Sequence, residues 1–185
     1  DLRKRIVQNS SAYRLVHAEA DLLPGLVVDL YGRVAVVQFL TVGMEMRREQ
    51  VLTALREVFP LDGIFERSDV HVRELEGLKQ QAGFIGPEFD PLVRVEENGF
   101  PMLVDVQGGQ KTGYFLDQRE NRAAIAPYVA GADVLDCFSH TGSFAVHAAR
   151  YGAKQVRVVD ISQTAIDLAR RNAELNGVTP QMDFV

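Results

Sequence analysis

The chain has 185 residues, of which 46% are hydrophobic, so it is long enough to form one or two domains with a hydrophobic core. A net charge of −5 argues against a strongly basic nucleic-acid surface within this chain. The sequence contains no run of about 18 apolar residues, which a membrane-spanning helix would need. One cysteine excludes a disulfide framework, and the histidines form no metal-ligand spacing with it, so we expect a cytoplasmic protein without a metal site.

The first forty residues predict three strands, and residues 1–13 are compatible with a short helix before them. Apolar and β-branched residues recur in runs that are separated by turn residues, which is typical of antiparallel strands. Tyr31-Gly32 supplies the turn between the second and third of these strands. The expected strands cover residues 15–20, 26–30 and 34–40.

The next part of the chain combines one helix with further strands. Pro60 ends a stretch in which apolar residues recur at helical spacing, whereas residues 68–86 have no clear period. Asn98-Gly99 lies between two alternating runs, which is a strong signal for a β-hairpin. We therefore expect residues 1–105 to form a central α+β domain. Its expected elements here are a helix over 44–59, a strand over 63–67 and a hairpin over 92–105.

The segment from Gly108 to Pro127 joins this region to the next one. Asp117 is followed three residues later by Glu120, which is the spacing of a capping box at a helix N-terminus. The spacing predicts a helix over 118–126 that Pro127 ends.

The last part of the chain alternates strands and helices at the spacing of parallel βαβ units. Ser162 suits the N-cap of the second helix, and Gly152 and Gly177 suit the C-terminal caps. We expect residues 106–185 to be the N-terminal part of a Rossmann-like domain, so the fold class is α/β with an α+β domain in front. The expected elements are strands at 134–137 and 155–159, helices at 143–151 and 164–176, and a third strand that begins at 184–185.

Two aspartates, Asp136 and Asp160, lie at the carboxyl ends of the two predicted parallel strands. Ligands of such sheets bind at this edge, and the loop 138–142 leads into a helix N-terminus that attracts a carboxylate or phosphate. Gly142 lets the backbone approach a ligand closely. Asp160 is placed to accept hydrogen bonds from both hydroxyls of a ribose. The pattern predicts a site for an adenine nucleoside.

The loop favours S-adenosylmethionine over the other adenine cofactors. A dinucleotide fingerprint, G-x-G-x-x-G, would have glycine where this chain has Phe138 and His140, and no phosphate-binding G-x-x-x-x-G-K-[ST] loop occurs. A ligand without phosphates tolerates the bulkier loop. An NAD(P)-dependent oxidoreductase stays as an alternative that the glycine spacing disfavours.

Three motifs resemble those of a known family. They are the run Gly-Gly-Gln-Lys-Thr-Gly-Tyr-Phe at 108–115, the run Asp-Cys-Phe-Ser-His-Thr-Gly-Ser-Phe at 136–144, and Glu-Arg-Ser-Asp at 66–69. The chain resembles the class I methyltransferases of the ribosomal RNA large-subunit methyltransferase I family over nearly its whole length. That resemblance implies an RNA-binding PUA domain, a central domain and a methyltransferase domain. On this basis we expect a fragment that begins after the first domain and ends early in the third.

The resemblance also implies which residues contact the cofactor. No catalytic residue is expected in this chain, because Cys137 does not lie in the family's cysteine-bearing late motif and is expected to be a packed strand-end residue. His140 is either a ligand contact or an exposed loop residue, and His147 is a surface or packing residue. The expected contacts around the loop are Asp136, Ser139, Thr141, Gly142, Ser143, Phe144, Asp160 and Ile161. A flap beside the cofactor, or alternatively an interdomain linker, is expected at Lys111, Thr112, Tyr114 and Phe115.

The sequence thus predicts an S-adenosylmethionine-dependent RNA methyltransferase that modifies a base of large-subunit ribosomal RNA, with C5 of cytosine favoured. A catalytically inactive RNA-binding adaptor with the same fold is a second alternative. The expected partner is ribosomal RNA, and no association with a membrane is expected. The chain by itself is expected to be inactive and to form a homodimer through residues 131–185, because a partial sheet exposes strand edges.

Overall fold

The computed structural model describes residues 2–185, which form two compact units. The first unit runs to Val95 and also contains Val104–Leu116, and the second contains Glu96–Leu103 and Asp117–Val185. A compact unit is defined by internal contacts, whereas a domain folds independently, so the domain boundary expected after residue 105 stays a prediction. The mixture of parallel and antiparallel sheets with helices confirms the predicted fold class.

The first unit is built on a five-stranded sheet whose strands lie in chain order. These strands are β1 (Ala12–His17), β2 (Leu26–Tyr31), β3 (Val34–Phe39), β4 (Gly63–Ser68) and β5 (Gln81–Phe84). Strands β3 and β4 are parallel, and the other neighbours are antiparallel. The strand expected at 15–20 was wrong at both ends, because β1 begins at Ala12 and ends at His17. Residues Ala18–Asp21 form a 3-10 turn, which is closed where the backbone N–H of His17 donates to the Asp21 carboxylate at 2.6 Å.

One long helix packs against this sheet. The helices of the first unit are α1 (Leu2–Ile6), α2 (Val42–Glu45), α3 (Arg48–Val58) and α4 (Val72–Leu75). Leu52 and Leu55 of α3 join alternate residues of β2 and β3 in the hydrophobic core. The single helix expected over 44–59 was wrong, because the structure has two helices there, α2 and α3, with Met46 and Arg47 between them. At the start of α3, the Arg48 guanidinium donates to Glu45 and to buried Glu66. The spacing of apolar residues along a helix gives no information on such ion pairs with other elements.

Residues 68–86 fold through side-chain contacts that leave no periodic pattern. They contain α4 and β5. Arg73 is 3% exposed, and its guanidinium donates to the backbone carbonyls of Phe39 and Lys79 and to the carboxylate of Glu45. A buried charge is tolerated only when it is paired and hydrogen-bonded in this way. The contacts of Arg73 thus tie this segment to β3 and α2.

The predicted hairpin is confirmed. Strands β6 (Leu92–Glu97) and β7 (Phe100–Asp105) flank a two-residue turn. Asn98 and Gly99 both have positive φ, 53° and 80°, which is the requirement of a type I′ turn. The tip of this hairpin, Glu96–Leu103, belongs to the second unit.

The second unit contains a parallel sheet in the order β10-β9-β8, which confirms the predicted βαβ pattern. Its strands are β8 (Asp133–Cys137), β9 (Gln155–Val159) and β10 (Met182–Phe184), and its helices are α5 (Arg119–Ala124), α6 (Ala126–Val129), α7 (Ser143–Arg150) and α8 (Gln163–Leu175). Ser162 is the N-cap of α8, where its hydroxyl accepts from the N–H of Ala165, as predicted. Within residues 2–185, no helix has both the length and the apolar character to cross a membrane.

The helix expected over 118–126 was wrong at both ends. Leu116–Gln118 forms a 3-10 turn before α5, and Pro127 lies in the first turn of α6 instead of ending a helix. Proline is tolerated there because the N–H that it lacks has no partner in the first turn of a helix.

A buried ion pair anchors the hairpin tip within the second unit. The Arg122 guanidinium donates to both oxygens of Glu97 at 2.5 and 2.9 Å, and neither residue is more than 1% exposed. His147 lies beside them and is fully buried, so it is a packing residue. Its Nδ1–H donates to the carbonyl of Ser143, which leaves Nε2 to accept from Asn98. Burial lowers the pKa of His147, which favours this neutral form.

Candidate functional site

The loop between β8 and α7, residues 138–142, has an unusual backbone that β9 holds in place. Phe138 and His140 have positive φ of 59° and 51°, which residues other than glycine rarely adopt. The N–H of Ser139 donates to the carbonyl of Val159 at 3.1 Å, and the N–H of His140 donates to the Asp160 carboxylate at 2.8 Å. The carboxyl end of β9 therefore fixes the shape of this loop, which we call the site loop.

Asp160 is a fixed acceptor at the end of β9. One of its carboxylate oxygens accepts the N–H of His140, and the other accepts the N–H of Ser162 at 2.9 Å. The residue is half-buried, and each carboxylate oxygen has a second lone pair. Asp160 can thus offer one further acceptor on each carboxylate oxygen to a diol while it holds the loop.

Asp136 contacts the first turn of α7. Its carboxylate accepts the N–H of Ala145 at 3.1 Å. Burial raises the pKa of Asp136 from its usual 3.8 to about 6, the N–H of Ala145 opposes this rise, and the charge of Asp160 adds to it. The site thus holds a carboxyl group that is costly to ionise, which is a frequent property of functional sites.

Two buried hydroxyls of the site loop lack hydrogen-bond partners among the described residues. Ser139 is 6% exposed and Thr141 is 4% exposed, and neither hydroxyl oxygen is bonded. A buried polar group without a partner costs about 1–3 kcal/mol. A ligand with polar groups at the loop would satisfy them. Residues 2–185 contain no cluster of three or more acidic, His or Cys side chains that could hold a metal ion.

Gly142 has a role in the fold that the sequence did not reveal. Its φ is +71°, and a Cβ atom there would lie 2.8 Å from the Cβ of Ala169 on α8. The missing side chain therefore lets α8 pack against the site loop. Close approach of the Gly142 backbone to a ligand stays a prediction.

Side chains around the loop differ in exposure. Phe138 and Ile161 are 93% and 104% exposed, Ser143 is buried, and Phe144 and His140 are half-buried. Burial lowers the pKa of His140, and the charge of Asp160 opposes that effect. Phe138 was not among the predicted contacts, and its side chain is exposed at the site loop.

The expectation that Cys137 is packed was wrong. Cys137 is exposed and carries a free thiol. Asp133, Leu135 and Cys137 share the exposed face of β8, because successive side chains of a strand point to opposite faces. Val134 and Asp136 are on the other, half-buried face.

The structure places the predicted contacts in both units. The eight predicted contacts from Asp136 to Ile161 belong to the second unit, and the four predicted flap residues belong to the first. The buried hydroxyl of Thr112 donates to Asp29 at 2.6 Å and lies 3.0 Å from the Tyr31 hydroxyl. Tyr114 is buried, and Lys111 Nζ lies 4.2 Å from the centroid of the Phe115 ring. These contacts stabilise the first unit, and a flap at the cofactor stays a prediction.

A parallel βαβ unit with acids at two strand ends and a tightly held loop is typical of nucleoside-binding domains, and comparison with known proteins shows the family. The model of the S-adenosylmethionine-dependent methyltransferase family matches residues 84–182, more than half of the chain. The chain belongs to this family.

The curated relatives are more specific. The chain is 51% identical over 173 residues to the ribosomal RNA large subunit methyltransferase I of Aeromonas salmonicida, covering 92% of this chain and 43% of that protein. It is 46% identical to the enzyme of the same name from Alteromonas mediterranea, covering 95% of this chain and 45% of the relative. The chain thus spans less than half the length of these relatives.

Solved structures show the same fold. A candidate S-adenosylmethionine-dependent methyltransferase from Streptococcus mutans has a TM-score of 0.84 and 28% identity, covering all of this chain and 48% of that one. A candidate methyltransferase solved in complex with SAH matches equally well, with the same TM-score, identity and coverage. The tRNA m1G37 methyltransferase of M. jannaschii, at 23% identity over 87% of this chain and 48% of its own, shares the fold with a TM-score of 0.68.

Proposed function

We propose that this chain supplies part of the S-adenosylmethionine site of a methyltransferase that modifies a base of large-subunit ribosomal RNA. The observation that carries the proposal is the site loop, which Asp160 holds in a rare backbone conformation with two unpaired buried hydroxyls beside it. The residues proposed to contact the cofactor are Asp136, Ser139, Thr141, Gly142, Ser143, Phe144, Asp160 and Ile161, with Lys111, Thr112, Tyr114 and Phe115 as a flap.

These residues fit the polar groups of this cofactor. Asp160 has acceptor capacity on both carboxylate oxygens, which suits the two hydroxyls of a ribose. The hydroxyls of Ser139 and Thr141 are each able to donate and accept, which suits the carboxylate and ammonium groups of the methionine part. When bound, the cofactor supplies an electrophilic methyl group on a sulfonium. The chain's own contribution is to bind and orient that cofactor.

The substrate is inferred from the relatives. The curated relatives are named ribosomal RNA large subunit methyltransferase I, so ribosomal RNA is the proposed partner and the cytoplasm the proposed location. Family resemblance favours C5 of cytosine as the methyl acceptor.

The proposal is tested by calorimetric titration of the protein with S-adenosylmethionine, comparing Asp160→Ala with Asp183→Ala. Removing Asp160 deletes charge-assisted hydrogen bonds of about 1.5–3 kcal/mol each, so affinity should fall at least about tenfold. Asp183, on β10, pairs with Arg157 at 2.8 Å, and both side chains are exposed, so its loss should leave affinity unchanged.

Three results would contradict the proposal. Unchanged affinity in Asp160→Ala would remove this acid from the site. Wild-type binding of NAD(P) in place of S-adenosylmethionine would indicate the oxidoreductase alternative. Cofactor binding without methyl transfer to large-subunit ribosomal RNA by the full-length protein would indicate the adaptor.

A further inference from the structure

Asn172 is a fully buried polar residue on the apolar face of α8, and it touches the site loop. The side chains that share this face are Ala165, Ile166, Leu168, Ala169 and Ala173. An asparagine is a poorer helix former than alanine, and a buried amide is unfavourable unless it is hydrogen-bonded. Its presence on this face needs specific partners.

Those partners lie on two different segments. The Asn172 Nδ2 group donates to the carbonyl of Thr141 at 3.0 Å, and the Oδ1 atom accepts the N–H of Leu103 at 2.7 Å. An amide has donors on one side and acceptors on the other, so the Leu103 bond fixes which way the group faces. The hairpin tip thereby aims the amide nitrogen at the site loop.

The site loop needs such support. It contains several residues with positive φ, and conformations of this kind persist only when the surroundings hold them. Asp160 holds the loop from the side of β9, through the N–H of His140. On the side of α8, Ala169 packs against Gly142, and Asn172, three residues later on the same helix face, binds the carbonyl of Thr141.

We propose that Asn172 is a positioning residue that fixes the site loop in its binding shape by holding the Thr141 carbonyl against α8. This inference rests on the proposed function, because it takes the site loop to be the part of the chain that binds the cofactor. Asn172 itself acts on the loop backbone and needs no contact with the ligand.

Asn176 provides a matched control one turn further along. It is the same residue type and is 6% exposed, and its Nδ2 group donates to the carbonyls of Pro101 and Asn172 at 2.7 and 2.8 Å. It thus binds the hairpin tip and its own helix, while Asn172 binds the hairpin tip and the site loop. Asn→Asp removes the Nδ2 contacts of either residue, which for Asn172 include a longer one to the Leu103 carbonyl at 3.5 Å, and it adds the same charge at both positions.

The experiment compares hydrogen exchange of peptides covering residues 138–146 in the wild type, Asn172→Asp and Asn176→Asp. Asn172→Asp keeps the acceptor for Leu103 and loses the donor to Thr141, so exchange in these peptides should be roughly tenfold faster. Asn176→Asp should leave these peptides as in the wild type, even where thermal unfolding shows an equal loss of stability. Asn172→Ala serves as a neutral variant if the carboxylate prevents folding.

Affinity provides the second measurement, with S-adenosylhomocysteine as the probe because it lacks the sulfonium charge. Asn172→Asp and Asn172→Ala should bind it roughly three- to tenfold more weakly, which corresponds to the loss of one neutral hydrogen bond, and Asn176→Asp should bind it normally. Equal loop exchange in the Asn172→Asp and Asn176→Asp variants, or unchanged exchange in both, would overturn the positioning role. A wild type that binds no probe would refute the proposed function, and loop exchange would still decide the role of Asn172.

Discussion

Replacing Asp136 by asparagine should stabilise the protein at neutral pH. Burial raises the pKa of Asp136 to about 6, so at pH 7.5 the folded protein holds an ionised carboxylate where the ionised form is disfavoured. Asparagine is neutral and similar in shape, and its carbonyl oxygen can still accept the N–H of Ala145.

The magnitude follows from the difference between the folded and unfolded states. A rise of about two pKa units corresponds to about 3 kcal/mol of folding free energy. The carboxylate is only half-buried, and screening by water reduces this to about 1–2 kcal/mol. Because the folded pKa is raised, the contribution of Asp136 to stability is fully present below about pH 4 and is lost as pH rises through about 6.

Urea unfolding at several pH values between about 3.5 and 8 measures this effect. This range extends about two pH units to each side of the raised pKa of Asp136, so it covers both protonation states. Asp136→Asn and the wild type should be equally stable at the acidic end, and the variant should gain about 1–2 kcal/mol above pH 7. Asp133→Asn, exposed at the start of the same strand, is the control and should change little. A variant that is less stable at neutral pH, or a difference that does not vary with pH, would refute the reasoning.

Two further predictions concern the second unit. Glu97→Ala should lower the free energy of unfolding by about 3–5 kcal/mol, because it removes the buried carboxylate that pairs with the Arg122 guanidinium. Glu120→Ala should have little effect, because that carboxylate is 78% exposed, and equal thermal shifts of the two variants would contradict this prediction. Self-association through residues 131–185 is predicted because β8 is an outer strand of its sheet and Leu135 is 62% exposed, and light scattering that gives only the 20.6 kDa monomer at high concentration would disprove it.

Elements that local chemistry specifies were predicted well from the sequence. The bounds of β9 match the prediction residue for residue, because a short apolar run between turn residues leaves little choice. The Asn98-Gly99 turn and the Ser162 cap were also predicted, since each depends on the φ preference or the hydroxyl of the residue itself. The loop between β8 and α7 was predicted as a site because acids at strand ends and a loop that leads into a helix N-terminus are a local pattern.

Contacts between residues that are far apart in the sequence were decided only by the tertiary structure. The break between α2 and α3 is accompanied by the Arg48–Glu66 ion pair, and residues 68–86 are tied to α2 by the contact of buried Arg73 with Glu45. The role of Gly142 depends on Ala169, and Cys137 is exposed because it lies on the exposed face of β8. Periodicity and turn chemistry report the neighbours of a residue along the chain. The partner that satisfies a buried charge or amide is set by how the elements pack, and no local pattern carries that information.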